Sequence, residues 1–286
     1  MPQNALSNRA CCFRVTKLLS LAILGYNRTQ ELSTWVVHMA WLDKAASLAN
    51  GLINLVFPPR CVACGAWGNW FCAACRAAVH PLPDPCCSHC GRPLRRVGFC
   101  KRCQELDSHL EAIRSTSAHR QPLSRAIHAF KYSGLSMLAE PLADMLLATW
   151  RVAPVACELI VPVPLHPARI RERGYNQSAL LARVLGRCLG IPTAEDVVRR
   201  VRDTKPQVGL SRPERLQNMA GAFALQLSLT GSPHILLVDD VCTTGATLEA
   251  CAEVLLQAGA GSVRALTLAR AIGRYGAITH SRGEPQ

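Results

Sequence analysis

The stretch 239–247, Asp-Asp-Val-Cys-Thr-Thr-Gly-Ala-Thr, places two adjacent carboxylates, three threonines and one glycine between two apolar segments. The preceding run, 235–238, has the composition of a strand that is buried on both faces. The following residues have the apolar spacing of a helix that ends near Gly259. In open α/β sheets, ligands bind beyond the carboxyl ends of the strands, which is the position of this loop. The stretch is therefore predicted to line a ligand site.

The carboxyl-terminal half of this stretch has the components of a phosphate-binding loop. Gly245 allows the backbone to approach a ligand closely. The helix predicted to begin near Ala246 presents unpaired amides that favour an anion. Hydroxyl donors are supplied by Thr243, Thr244 and Thr247. This pattern predicts binding of a phosphate monoester, with a plain strand–turn–helix that has polar turn residues as the alternative.

Asp239 and Asp240 need a different partner, because carboxylates repel phosphate. Two carboxylates beside a phosphate pocket suit the hydroxyls of a ribose, or a Mg²⁺ ion shared with a diphosphate. A phosphorylated ribose that carries a diphosphate would satisfy all of these groups at once. We therefore expect Asp239 and Asp240 to be the catalytic carboxylates of any reaction at this site.

The elements that must position this loop are strands alternating with helices, which begin after Cys103. Strand-like segments are 112–119, 158–166, 234–240 and 262–270. Helix-like segments are 122–134, 137–150, 176–190 and 246–260. This alternation predicts an α/β fold with a parallel sheet and helices on both faces. The basic segment 199–218 has no clean period and is predicted to be a long mobile loop.

Eight of the fifteen cysteines form four Cys-x-x-Cys pairs, a spacing that lets two thiolates bind one metal ion. Two pairs make a tetrahedral Cys₄ site, so the module predicts two structural zinc ions in a double zinc ribbon. Because each set is full, no coordination position is left for catalysis. The first set is Cys61, Cys64, Cys72 and Cys75, and the second is Cys87, Cys90, Cys100 and Cys103. Interleaved pairing, and substitution of a ligand by Cys86, remain open.

The loop 235–247 resembles the 5-phosphoribosyl-1-diphosphate (PRPP) signature of type I phosphoribosyltransferases, since two acidic residues follow an apolar run and precede Thr-Thr-Gly-x-Thr. Further motifs resemble those of the ComF family: Phe-Lys-Tyr-Ser-Gly at 130–134, Pro-Val-Pro at 162–164, Arg-Gly-Tyr-Asn-Gln at 173–177 and Lys-Pro-Gln at 205–207. The resemblance spans residues 41–271 and implies a type I phosphoribosyltransferase-like domain behind an N-terminal zinc-ribbon module.

The resemblance implies a set of substrate-binding residues besides the loop, and it assigns Ala246 to the loop itself. A displaced diphosphate needs cations around it, and residues 161–215 hold eleven Arg and Lys against five Asp and Glu. The implied set is Lys131, Arg173, Asn176, Gln177, Lys205 and Gln207.

Composition and length bound the class of protein. Its 286 residues, 49% hydrophobic and 18% charged, describe a globular chain with one or two domains. We expect an N-terminal extension at 1–40, with Met39 as an alternative start, a helix plus double zinc ribbon at 41–106, the phosphoribosyltransferase-like domain at 107–275 and a tail at 276–286. The resemblance implies a cytoplasmic protein, where thiols stay reduced, so zinc is favoured over disulfides.

The resemblance implies that the protein binds PRPP and Mg²⁺ and transfers or handles a phosphoribosyl group, with a role in natural competence and DNA uptake. A nitrogen nucleophile would displace diphosphate from the anomeric carbon. The net charge of +13 suits anionic partners. One alternative is a non-catalytic competence factor that senses PRPP or binds single-stranded DNA. Another is a nucleobase salvage phosphoribosyltransferase. The acceptor and the oligomeric state stay open.

Overall fold

The structure is a computed structural model that describes residues 58–204 and 212–272. The helix expected within 41–56 and the predicted ligands Lys205 and Gln207 lie outside these ranges. In the described part of the chain, no helix is both long and apolar enough to span a membrane.

The described elements alternate as the apolar periods predict. The six strands are β1 (Ala112–Ala118), β2 (Leu159–Pro162), β3 (Val198–Arg200), β4 (Phe223–Leu225), β5 (His234–Cys242) and β6 (Ser262–Arg270). The helices are α1 (Ala73–Ala77), α2 (Lys101–Gln104), α3 (Leu123–Tyr132), α4 (Ala139–Val152), α5 (Pro167–Arg173), α6 (Gln177–Leu189), α7 (Arg212–Met219) and α8 (Ala246–Gln257), with a 3₁₀ turn at Ser136–Leu138.

Four strands form one parallel sheet in the order β1-β6-β5-β2. The register pairs Ile235 with Val263 and Leu159 with Ile235, so the apolar run of β5 lies between two neighbours. Burial on both faces explains why this run is continuous rather than alternating. The carboxyl end of β5 therefore opens at the centre of one sheet edge.

Each face of the sheet has its own apolar core. On one face, α3, α4 and α6 contribute Phe130, Leu142 and Leu181, which are 0% exposed. On the other face, Leu248 and Leu255 of α8 pack with apolar residues of β3, β4 and α7. The fold is therefore an α/β parallel sheet covered on both faces, as the sequence predicts.

The segment 199–218 corrects one prediction, because it is not one long loop. Its first residues end β3, which pairs antiparallel with β4, and its last residues belong to α7. This small unit packs against α8. The segment has no apolar period of its own because its strand is short and its charged side chains are many.

The cysteine module packs against the sheet domain through both ribbons. Phe71 of the first ribbon is 2% exposed and joins the core formed by α3 and α4. The second ribbon lies against β1, where the His89 carbonyl accepts a hydrogen bond from the Ile113 amide at 2.7 Å.

Candidate functional site

The loop after β5 has the backbone shape that the glycine predicts. Gly245 has φ of 90°, a left-handed conformation that favours glycine, and it begins α8. The Thr244 hydroxyl accepts a hydrogen bond from the Ala246 amide at 3.4 Å. The amino-terminal amides of α8 therefore point into the space beyond the sheet edge, where an anion is favoured.

Asp239 and Asp240 end the apolar run of β5 and are almost completely buried. One Asp239 oxygen accepts hydrogen bonds from the Ser178 hydroxyl at 2.8 Å and from the Asp240 amide at 2.9 Å. Asp240 Oδ1 lies 2.8 Å from Lys131 Nζ. The other Asp240 oxygen, Oδ2, has no hydrogen-bond partner among the described residues.

The two carboxylates interact strongly. Burial raises the pKa of Asp239 to about 7, with a further contribution from the negative charge of Asp240, while Lys131 opposes the rise. Burial lowers the pKa of Lys131, but its hydrogen bond and charge attraction with Asp240, together with the charge of Asp239, outweigh burial, and the net change is upward. The site thus concentrates negative charge that a cation or a hydroxyl-bearing ligand would stabilise.

A cavity of about 800 Å³ lies over these groups, between the loop, α3 and α5. Most of the predicted ligands line it: Lys131, Arg173, Gln177, Asp239, Asp240, Thr243, Gly245, Ala246 and Thr247. Arg173 donates to the Gln177 side chain, which holds both at the wall of the cavity. The structure therefore brings together residues that are more than a hundred positions apart in the sequence.

Two predicted ligands have other contacts in the structure. Asn176 caps the amino terminus of α6. Its side-chain oxygen accepts a hydrogen bond from the Ser178 amide at 3.1 Å, and its side-chain nitrogen Nδ2 donates one to the Val163 carbonyl at 3.0 Å. The Thr244 carbonyl accepts a hydrogen bond from Arg102 of the second ribbon. Neither residue is part of the cavity lining, so their binding roles stay predictions.

The cavity also has residues that the sequence analysis did not assign to it. Arg200 at the end of β3 lines it, and its Nε has no partner among the described residues. Burial lowers the pKa of Arg200. Tyr132 lies on the rim with 65% exposure, beside the Arg173 guanidinium. The basic segment 199–218 was the available signal for Arg200, and the Phe-Lys-Tyr-Ser-Gly motif was the signal for Tyr132.

The cysteines form two separate clusters, each with its four ligand atoms within 4.8 Å of one another. The first contains Cys61, Cys64, Cys72 and Cys75, and the second contains Cys87, Cys90, Cys100 and Cys103. The pairing is therefore sequential rather than interleaved, and Cys86 belongs to neither described cluster. Four convergent cysteine sulfurs are the ligand set of structural zinc.

Backbone amides lower the pKa of one thiol in each cluster, whereas burial raises the pKa of Cys75, Cys90 and Cys103. Burial raises the pKa of Cys61, but amide donors, led by that of Cys72, outweigh burial and bring the pKa to about 6. In the second cluster, the Cys100 amide donates to Cys87 at 3.3 Å and helps to bring its pKa to about 6 against the effect of burial. Both clusters therefore fit Zn²⁺ in chemistry as well as in spacing.

The acidic pair also fits the hard cation that the sequence analysis predicted. Asp240 Oδ2 is a buried oxygen without a partner among the described residues, and Asp239 is crowded by a second carboxylate. Mg²⁺ prefers one or two carboxylates together with ligand phosphates. Asp239 and Asp240 are the residues that would hold it.

Comparison with known proteins finds two family profiles in this chain. The double zinc ribbon domain matches residues 52–104. The phosphoribosyl transferase domain matches residues 171–281, which include the loop and the acidic pair. The two matches correspond to the cysteine clusters and to the second half of the sheet domain.

Three curated proteins are similar over most of their length. Competence protein F of Haemophilus influenzae is 35% identical over 71% of this chain and 91% of its own. The DNA utilization protein YhgH of Salmonella typhimurium is 35% identical over 76% of this chain and 100% of its own. Competence protein ComFC of Bacillus subtilis is 30% identical over 70% of this chain and 83% of its own.

Proposed function

The chain belongs to the ComF family, and on that premise we propose that it binds PRPP together with Mg²⁺ in the cavity beyond β5. The single observation that carries the proposal is the placement of the buried acidic pair beside the Gly245 loop in one cavity of about 800 Å³. A phosphate monoester suits the α8 amino terminus, and ribose hydroxyls suit the carboxylates.

The cations around the cavity suit the diphosphate. Arg173 and Arg200 line the wall of the cavity. Lys131 also lines the cavity, where it forms an ion pair with Asp240. We propose that the guanidinium groups stabilise the negative charge that develops on the departing diphosphate. When bound, Mg²⁺ would neutralise part of that charge and would be held by the acidic pair.

The reaction we propose is displacement of diphosphate from the anomeric carbon by a nitrogen nucleophile. The bond from that carbon to the diphosphate oxygen breaks, the oxygen keeps the electron pair, a new bond forms to nitrogen, and the nitrogen releases one proton to water. We propose that the buried carboxylates stabilise positive charge on the ribose ring and orient its hydroxyls. The protein would therefore act by positioning and electrostatics, without a covalent intermediate.

The first test is calorimetric titration of the protein with PRPP in the presence of Mg²⁺. We expect saturable binding that is lost in the variant carrying both Asp239→Asn and Asp240→Asn. Arg187→Ala is the control, because Arg187 pairs with Glu140 on an exposed surface away from the cavity. Binding that survives in the double variant would contradict the site assignment, and a wild-type protein that does not bind PRPP would contradict the proposal itself.

A second candidate function is binding of single-stranded DNA, which the names of the relatives also suggest. The observation that favours it is Tyr132, whose exposed ring lies 4.9 Å from the His128 ring and 5.3 Å from the Arg173 guanidinium. An exposed aromatic ring among cations is a platform on which a base can stack. In either case, we propose that the biological role is in natural competence and DNA uptake.

Fluorescence anisotropy with a labelled oligothymidylate separates the two candidates. A DNA-binding role predicts affinity that falls steeply between roughly 50 and 200 mM salt and that weakens in Tyr132→Ala. No measurable binding at the lower salt concentration would remove the DNA role and leave phosphoribosyl transfer. Release of diphosphate from PRPP with adenine, guanine, orotate or ammonia would then identify the acceptor.

A further inference from the structure

The second zinc ribbon contacts the phosphate-binding loop directly. Its short helix α2 begins directly after the ligand Cys100, contains the ligand Cys103 and carries Arg102. The Arg102 guanidinium donates a hydrogen bond to the carbonyl of Thr244, inside the loop. A charged donor on a backbone carbonyl is among the stronger hydrogen bonds in proteins, so this contact restrains the peptide that precedes Gly245.

The segment after the second ribbon holds the helix that begins at this loop. The Ser108 hydroxyl donates to Glu249 Oε1 at 2.5 Å, and the His109 amide donates to Glu249 Oε2 at 3.1 Å. Glu249 lies in the first turn of α8. The chain that leaves the ribbon therefore restrains the orientation of the amino terminus that would face the phosphate.

Arg270 contacts the same region of the chain from inside the core. It is 1% exposed, and its Nη1 donates to Cys242 Sγ at 3.3 Å, immediately before the loop. Its Nε and Nη2 have no hydrogen-bond partner among the described residues. The buried guanidinium therefore restrains the strand end from which the loop emerges.

The first ribbon contacts other elements. Arg125 of α3 donates to the Ala63 carbonyl at 2.9 Å, and Arg76 of α1 lies 3.6 Å from Asp144 of α4. These contacts join the first ribbon to the helices on one face of the sheet. The two ribbons therefore have different neighbours, which allows their contributions to be separated by experiment.

We propose that the second zinc ribbon holds the phosphate-binding loop in the shape that accepts ligand, with Arg102 as the positioning residue. The first ribbon instead anchors the helices of the opposite face. The effect on ligand affinity rests on the proposed function, whereas the effect on loop order does not. The metal in the second cluster thus contributes to ligand affinity without touching the ligand.

Hydrogen exchange of the ligand-free protein tests the effect on the loop without any ligand. We expect Arg102→Ala to speed amide exchange in a peptide covering 239–250 by about tenfold or more, the change that loss of one charged hydrogen bond produces. The matched control is Arg76→Ala, which removes the contact from the first ribbon. A peptide covering 139–152 should be unchanged in Arg102→Ala, which excludes a general loss of stability.

A second pair of variants removes one zinc ligand from each ribbon. The variants are Cys100→Ser in the second ribbon and Cys72→Ser in the first. Each is the third cysteine of its cluster. We expect Cys100→Ser to lose zinc and to speed exchange in the 239–250 peptide, and Cys72→Ser to lose zinc without that change. Equal exchange of this peptide in both variants and in the wild type would overturn the proposal.

Titration with PRPP and Mg²⁺ tests the consequence for affinity. We expect Arg102→Ala to weaken binding about tenfold and Arg76→Ala to leave it unchanged. If the loop loosens in Arg102→Ala but the wild type does not bind PRPP, the ribbon contact stands and the proposed function fails. If the wild type binds PRPP and Arg102→Ala binds it equally well with an unchanged loop, the ribbon proposal fails.

Discussion

At the scale of single residues, the acidic pair places ligand binding in competition with stability. Asp239 is buried beside Asp240, and its raised pKa means that the ligand-free protein favours the protonated carboxyl. The unfolded chain has the ordinary, lower pKa, so this residue contributes most stability at pH below about 4 and loses that contribution as pH rises through about 7. The charge that would bind ligand is therefore destabilising in its absence.

We predict that Asp239→Asn stabilises the ligand-free protein at pH 8 by about 1 to 3 kcal/mol. The asparagine oxygen can still accept from Ser178 and from the Asp240 amide. The gain should shrink as the pH falls below about 7 and approach zero near pH 3, where Asp239 is mostly protonated in both the folded and the unfolded state. Denaturant unfolding of the wild type and the variant at each pH measures the difference in free energy of unfolding. The contribution of the zinc ribbons is the same in both proteins and cancels. A variant less stable than the wild type at pH 8 would contradict the assigned cause.

Lys131 is the counterion that stabilises the buried carboxylates of Asp239 and Asp240. Removing it in Lys131→Met leaves two buried carboxylates without their cation, and we predict a loss of about 2 to 4 kcal/mol. In a background of Asp240→Asn the same change should cost much less, because the negative partner of the Lys131–Asp240 ion pair, which spans 2.8 Å, is already gone. A double-mutant cycle by denaturant unfolding measures the coupling. Equal costs in the two backgrounds would show that the ion pair contributes nothing.

At the scale of elements, two glycines occupy equivalent positions in the two ribbons. Gly65 follows Cys64 with φ of 79°, and Gly91 follows Cys90 with φ of 66°. An added Cβ at Gly65 would meet nothing within 4 Å, whereas at Gly91 it would lie 2.6 Å from the Ile113 carbonyl oxygen. The second ribbon is therefore packed against the backbone of β1 at this turn.

We predict that Gly65→Ala costs about 1 kcal/mol, the strain of a left-handed alanine. Gly91→Ala has the same strain and also a clash with backbone, so we expect a larger loss of about 2 to 4 kcal/mol and separation of the second ribbon from β1. Denaturant unfolding measures the cost, and hydrogen exchange at 112–118 reports the separation. Indistinguishable variants would show that the ribbon contact with β1 is loose.

At the scale of the whole molecule, the two clusters predict about two zinc ions per chain in protein purified under reducing conditions. Removal by a strong chelator should unfold the cysteine module, since structural zinc supplies folding free energy. Atomic emission spectroscopy measures the zinc content per chain. Protein with one zinc ion or less per chain would contradict the double ribbon, and circular dichroism before and after chelation measures how much structure depends on the metal.

The sequence was sufficient for the alternation of strands and helices, because period and burial are local properties of the chain. The run 235–238 and the helix that follows it were predicted, as were the four Cys-x-x-Cys pairs, since residues in such a pair are close in space wherever they lie. Short elements were not predicted. The strand that ends at Arg200 has three residues, too few for a period to be seen.

Contacts between distant segments were decided by the tertiary structure alone. The ion pair of Lys131 with Asp240 and the hydrogen bond from Arg102 to Thr244 each join residues separated by more than a hundred positions. The tertiary structure also decided between sequential and interleaved pairing of the Cys-x-x-Cys pairs. Residue type and spacing determine which groups can do chemistry, but packing of the sheet decides which of them meet, because that depends on how each element buries its apolar face.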